Sequence, residues 1–140
     1  MEDQGRRDLL ELVGPLYRLL RRAEERCAND AGLTMWQYAV LSVGARHEGL
    51  SQAQIADRLG YSRNRIIHDL DVLETRRLAE RRAGTDRRRH SIHVTATGRD
   101  TVDEIRSAIW AAENDLLSPV PAAGRDSLQD ILERALEVRP

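Results

Sequence analysis

The sequence predicts a mainly α-helical protein that carries one small β-hairpin. Three observations lead there. Apolar residues recur at spacings of three and four through most of the chain, the pattern of helices with one buried stripe. Thr34 precedes Gln37 and Ser51 precedes Gln54, each by three residues, which marks two helix starts by reciprocal side-chain capping. One stretch, residues 91–95, alternates instead, with Ile92 and Val94 on a common face, as a half-buried strand does. At 140 residues the chain is long enough for a substantial core. It has no Phe and few other aromatics, so that core rests on Leu, Ile, Val and Ala.

The first helix is expected over 6–28, with Leu9, Leu12, Val13, Leu16, Leu20, Ala23 and Cys27 on one stripe. Pro15 either kinks it or opens its main part as a first-turn proline. Gly32 stops it, and Thr34 caps a second helix with a face of Trp36, Ala39, Val40 and Val43. A short helix follows Ser51 and ends at Gly60. Ser62 caps the next, which packs along Ile66, Leu70 and Leu73. Residues 78–82 and 91–95 then flank a glycine turn as a hairpin. A helix over 97–117 carries Val102, Ile105, Ile109, Ala112 and Leu116. After the breaker SPVPAAG, a last helix over 125–137 carries Leu128, Ile131, Leu132 and Ala135.

Charge separates along this order. All 22 basic residues are Arg, and the chain as a whole has a formal net charge of -1. Residues 51–95 nonetheless hold ten Arg against six acids, and the remainder twelve against seventeen. A basic middle between acidic ends points to a polyanion partner for the middle alone.

Two short helices joined at Gly60–Tyr61 and followed by a hairpin form a winged helix-turn-helix. At about 100° per residue, Ile66, Ile67, Leu70 and Leu73 face inward, and Asn64, Arg65, His68 and Asp71 face outward. Arg63, Asn64, Arg65 and His68 are thus the candidates for the major groove of double-stranded DNA, where Arg suits guanine and Asn suits adenine. Ser51, Gln52 and Ser62 stand at helix starts, whose free amides favour phosphate. Asp86, Arg87, Arg88 and Arg89 form the wing tip, with one arginine able to enter the minor groove.

Other classes find little support. Cys27 is the sole cysteine, which excludes an intrachain disulfide and a paired-cysteine metal site. No phosphate loop, HExxH or nucleophile elbow is present, so neither enzyme activity nor a metal or cofactor is expected. His90 and His93 lie three apart in a strand, on opposite faces, which argues against a shared metal. Glu11 and Arg18 interrupt the apolar start, unlike a signal peptide, and no apolar run reaches the ~20 residues of a membrane span. A cytoplasmic protein without membrane association is expected.

The chain resembles the MarR (multiple antibiotic resistance regulator) family. The resemblance lies in GLT at 32–34, SQAQIADRLG at 51–60, DVLETRRLAER at 71–81 and DRRRHSIHVTATG at 86–98. The last holds the family's wing pattern, Asp86 and Arg88 followed by Val94-Thr95-Ala96-Thr97-Gly98. One residue departs from it: Arg77 stands where the family usually has Gly after the recognition helix, which implies a different turn or local strain.

The resemblance implies a homodimer on a palindromic operator, with recognition helices roughly 34–36 Å apart. It implies a dimerisation lobe from 1–33 and 97–140 and a DNA-binding lobe from 34–96. It further implies a repressor released by a small aromatic or phenolic ligand between the lobes, for which Tyr17, Arg18, Trp36, Tyr38, Arg46 and His47 are candidates. Two alternatives stand beside it: a redox-sensing regulator using Cys27, and a winged-helix module for protein contacts without specific DNA binding.

Overall fold

The computed structural model describes residues 5–84 and 90–137. Its elements, in chain order, are α1 (Leu9–Asp30), α2 (Met35–Arg46), α3 (Gln52–Leu59), α4 (Arg63–Thr75), β1 (Ala79–Ala83), β2 (His90–Val94), α5 (Ala96–Leu116) and α6 (Ala122–Glu137). The expected order of helices and hairpin is present. α1 runs through Pro15 without a break. The proline is therefore interior, not a first-turn residue, and the Glu11 carbonyl loses the amide partner a helix would normally give it.

α2 is the centre of the fold, packed against α1, α3, α4, α5 and β2. Its buried residues are Gln37, Tyr38, Val40, Leu41 and Gly44. The stripe expected from sequence shares only Val40 with that set, and Trp36, Ala39 and Val43 are half-buried. A helix apolar on nearly every side gives no single periodic stripe to read. Around it, Leu33, Ile55, Ile66, Leu70, Leu73 and Ile105 are almost wholly removed from solvent.

The hairpin is antiparallel, with Ala79 opposite Val94 and Ala83 opposite His90. Ile92 and Val94 turn inward as the alternation predicts. A third segment, unmarked by any alternation, extends this pair. The Ile92 amide donates to the Leu50 carbonyl at 2.8 Å, and Ser51 bridges Ser91.

Two contacts fix how the hairpin leaves α4 and enters α5. Arg77 sits at φ 60°, in the left-handed region. There the Leu78 amide closes back on the Leu73 carbonyl at 2.9 Å, as in a glycine-capped helix end. Arg77 therefore keeps the turn that glycine would favour and carries the strain of a side chain there. At the other junction, the Thr95 hydroxyl donates to the Arg77 carbonyl at 2.8 Å and accepts from the Gly98 amide at 3.0 Å. Gly98 packs so closely that a Cβ there would lie 2.0 Å from the Leu78 carbonyl oxygen. These contacts are the physical content of the Thr-x-x-Gly pattern.

Outside this core the helices are less covered. α6 buries no residue, and Leu9, Leu10, Tyr17, Trp110, Ile131 and Leu136 are exposed. Among the described residues, no helix is long and apolar enough to cross a membrane.

Candidate nucleic-acid interface

Both helices of the pair are capped as expected. The Ser51 hydroxyl accepts from the Gln54 amide at 3.1 Å, and the Gln54 side chain accepts from the Ser51 amide at 2.9 Å. Gly60, at φ 66°, ends α3 in the left-handed conformation. The Ser62 hydroxyl faces the Arg65 amide at 3.4 Å and opens α4. Ile55 of α3 and Ile66 of α4 are both buried, and the two helices pack against each other.

This leaves Arg63, Asn64, Arg65, His68 and Asp71 exposed on α4, as the projection expected. Two neighbours differ from it. Ile67 was expected inside and is 41% exposed, whereas Asp69 is buried. The buried line of α4 runs through Ile66, Asp69, Leu70 and Leu73, which places Ile67 on its flank. Asp69 lies beside Tyr61, and the Tyr61 hydroxyl and Asp69 Oδ2 are both buried without a hydrogen-bond partner among the described residues. Burial first, then the Asp69 charge, pushes the Tyr61 hydroxyl well above the usual tyrosine range.

Arg65 is held. Trp36 and Tyr61 pack with ring centroids 4.5 Å apart, and the Arg65 guanidinium carbon lies 5.3 Å from each centroid. A cation over aromatic faces at an exposed site gains about 0.5–1 kcal/mol. The rings thus restrict where that guanidinium can point.

Arg81 is the residue that sequence reasoning missed. From β1 it reaches Asp71, Glu74 Oε2 at 2.9 Å and Gln52 Oε1 at 3.3 Å. One side chain thereby ties the wing to both helices of the motif. Burial lowers its pKa, but the hydrogen bonds and charges of Asp71 and Glu74 outweigh that and raise it. Its inward position in the strand and the two acids on α4 were visible in the sequence, but their meeting depends on the tertiary turn.

Gln52 thus spends its side-chain oxygen on Arg81. Ser51, Gln52, Gln54, Arg63, Ile67 and His90 line an open groove of about 340 Å³ between α3, α4 and the wing. His93 lies apart from it, with Nε2 3.0 Å from the Ser91 hydroxyl and Nδ1 3.5 Å from Glu48. The wing-tip candidates Asp86, Arg87, Arg88 and Arg89 lie outside the described residues.

The six ligand candidates do not converge within one chain. Tyr17 and Arg18 are exposed on α1, and Tyr38 is buried in the core. Trp36 faces Tyr61 and Arg65. Arg46 and His47 are exposed at the end of α2, where His47 Nε2 lies 3.3 Å from Arg58. Cys27 is half-buried against the core. Burial raises its thiol pKa, and nearby Asp30 and Glu24 add to this against the lowering by Arg26. No cluster that could hold a metal occurs among the described residues.

Comparison with known proteins fits this geometry. The MarR family model matches residues 31–89. A protein of Thauera aromatica assigned as a transcriptional regulatory protein for the hcr operon is 32% identical, over 91% of this chain and 85% of its own. The transcriptional repressor CouR, of Rhodococcus jostii RHA1 and bound to a 23-mer DNA duplex, is 27% identical with a TM-score of 0.78, over 92% of each chain. The PcaV transcriptional regulator from Streptomyces coelicolor, in complex with its natural ligand, is 25% identical with a TM-score of 0.69, over 96% of this chain and 99% of its own. The chain belongs to the MarR family, whose members are DNA-binding transcriptional regulators and not enzymes.

Proposed function

We propose that the chain is a homodimeric repressor that binds a palindromic operator and is released by a small aromatic or phenolic ligand. The observation that carries the DNA reading is the start of α4. Arg63, Asn64, Arg65 and His68 are exposed together on the side away from the core, beside a capped helix terminus. This is the part of a second helix that meets base edges. Arg87, Arg88 and Arg89 supply the wing charge in the same reading, and Ser51, Gln52 and Ser62 the helix-start contacts to phosphate. Repression is supported by the likeness to CouR, a repressor bound to DNA.

The dimer reading rests on the apolar residues that α1, α5 and α6 leave exposed. Part of this surface, Leu20, Trp110, Leu128, Leu132 and Leu136, lines one groove between α1, α5 and α6; an exposed apolar patch suits an interface, and a two-fold pairing would cover it with its own copy. In this reading 1–33 and 97–140 form the dimerisation lobe and 34–96 the DNA-binding lobe. The effector reading is supported by PcaV, a similar regulator in complex with its natural ligand. Tyr17, Arg18, Arg46 and His47 remain its candidates. The raised thiol pKa of Cys27 argues against the redox alternative.

Operator binding measured against salt tests the reading. Each phosphate neutralised should contribute a slope of about -0.9 to log K against log salt. Asn64→Ala should cost about 1–3 kcal/mol and relax preference at particular base pairs. Salt-insensitive binding, or equal affinity for every duplex, would overturn the regulator reading. Equal weakening of all sequences by Asn64→Ala would make Asn64 a phosphate contact.

A further inference from the structure

We propose that Ile67 reads a thymine in each operator half-site by packing against its 5-methyl group. The inference rests on α4 being the helix that enters the major groove. Ile67 follows Ile66, which is 1% exposed, yet is itself 41% exposed. The core of α4 is completed by Ile66, Asp69, Leu70 and Leu73. Ile67 adds little to that line, and no part of the described chain covers its remainder.

Its surroundings are polar. It borders the groove shared with Gln52, Gln54, Arg63 and His90. It also stands three residues after Asn64 and one before His68, in the first half of α4. An aliphatic side chain there cannot accept or donate a hydrogen bond. It gains free energy only when an apolar group covers it. The major-groove edge of duplex DNA offers one such group, the thymine C5-methyl. Arg63, Asn64 and His68 around it can serve phosphates and base-edge polar atoms, so the division of labour is chemical. The cytosine ring offers hydrogen in place of that methyl, and thymine should be preferred at this position.

The test uses a duplex chosen for tight binding by the full chain, with thymines replaced by deoxyuridine one symmetric pair at a time. One pair should stand out. Removing a methyl, worth about 0.8 kcal/mol when buried, should weaken binding about fourfold per half-site at 1.4 kcal/mol per tenfold. Ile67→Ala should bind the thymine and deoxyuridine forms of that pair equally, and Ile67→Val should retain the preference. Should Ile67→Ala fail to fold, Ile67→Ser carries the same comparison, since it leaves no methyl group to pack against the thymine. The proposal is overturned if every replacement leaves the wild type unchanged. It is equally overturned if the Ile67 variants stay as sensitive as the wild type. A wild type that prefers no unmodified duplex defeats the regulator reading itself, before any modified base is tested, and Ile67 reading falls with it.

Discussion

The middle of the chain and its two ends solve the problem of apolar surface differently. Between Leu33 and Val94, apolar residues such as Ile55, Ile66, Leu73 and Ile92 are almost completely covered by the chain itself. At the ends, Leu10 is 78% exposed, Leu136 is 74% exposed, and α6 buries nothing. The middle is closed off with the help of Ala28 of α1 and Val102, Ile105 and Ile109 of α5, whereas α6 and the outer parts of α1 and α5 leave apolar residues bare. In the dimer reading proposed above, the stability of the ends is tied to chain concentration, because a surface that a second copy completes gains nothing when diluted.

Breaking the ends should therefore break assembly before it breaks folding. Leu132→Asp places a charge on the exposed apolar side of α6. A buried unpaired charge costs about 3–5 kcal/mol, so the dimer dissociation constant should rise by two orders of magnitude or more. Sedimentation should show this while the helical circular dichroism of the middle persists. Unchanged association would show that α6 lies outside the interface.

Two glycines of the C-terminal helices sharpen the contrast, Gly98 clamped against the middle at Leu78 and Gly124 on α6. Gly98→Ala drives a Cβ to 2.0 Å from the Leu78 carbonyl oxygen, where backbone must move. Gly124→Ala meets only the end of the Val120 side chain, at 2.9 Å. The first change should destabilise by about 3 kcal/mol, at the upper end of overpacking costs. The second should be within about 1 kcal/mol of neutral, since alanine is the better helix former. Thermal melts at one fixed concentration compare them, and equal losses would contradict the picture of a tight joint in one region and slack in the other.

The smallest effect is a gain. Arg77→Gly should stabilise the chain by about 0.5–1 kcal/mol, because glycine removes the left-handed strain but gives more freedom to the unfolded state. A loss would mean that the Arg77 side chain makes up for its strained backbone.

What the sequence shows well is local. The Thr34–Gln37 and Ser51–Gln54 boxes, the Gly60 turn and the Ile92/Val94 alternation depend on near neighbours, and each is realised. What it hides is decided by several elements at once. α2 is covered from too many sides for a stripe to predict its burial. Ile67 has an inward-leaning projection, but its neighbours along α4 already complete the packing. Arg81 finds Asp71, Glu74 and Gln52 only after the chain has turned back on α4. The bridge from Ser51 to Ser91 is a single residue pair, too short to leave a pattern. The ligand candidates share only their chemistry in the sequence, and the fold places Trp36 in an aromatic pair and Tyr38 in the core.

The joint at Thr95 and Gly98 has a mechanical meaning. α5 begins clamped to the backbone at Arg77 and Leu78, where α4 ends and the wing begins. It then runs 21 residues into the region of exposed apolar surface. At 1.5 Å per residue that is an arm of about 31 Å. A shift of about 3 Å at its far end corresponds, by that length, to a tilt of about 5° at the joint. Only Thr95 separates β2 from α5, so such a tilt would be passed to the wing and the end of α4 with little loop to absorb it. A rearrangement among the terminal helices would in this way reach the pitch of the helix proposed to read DNA.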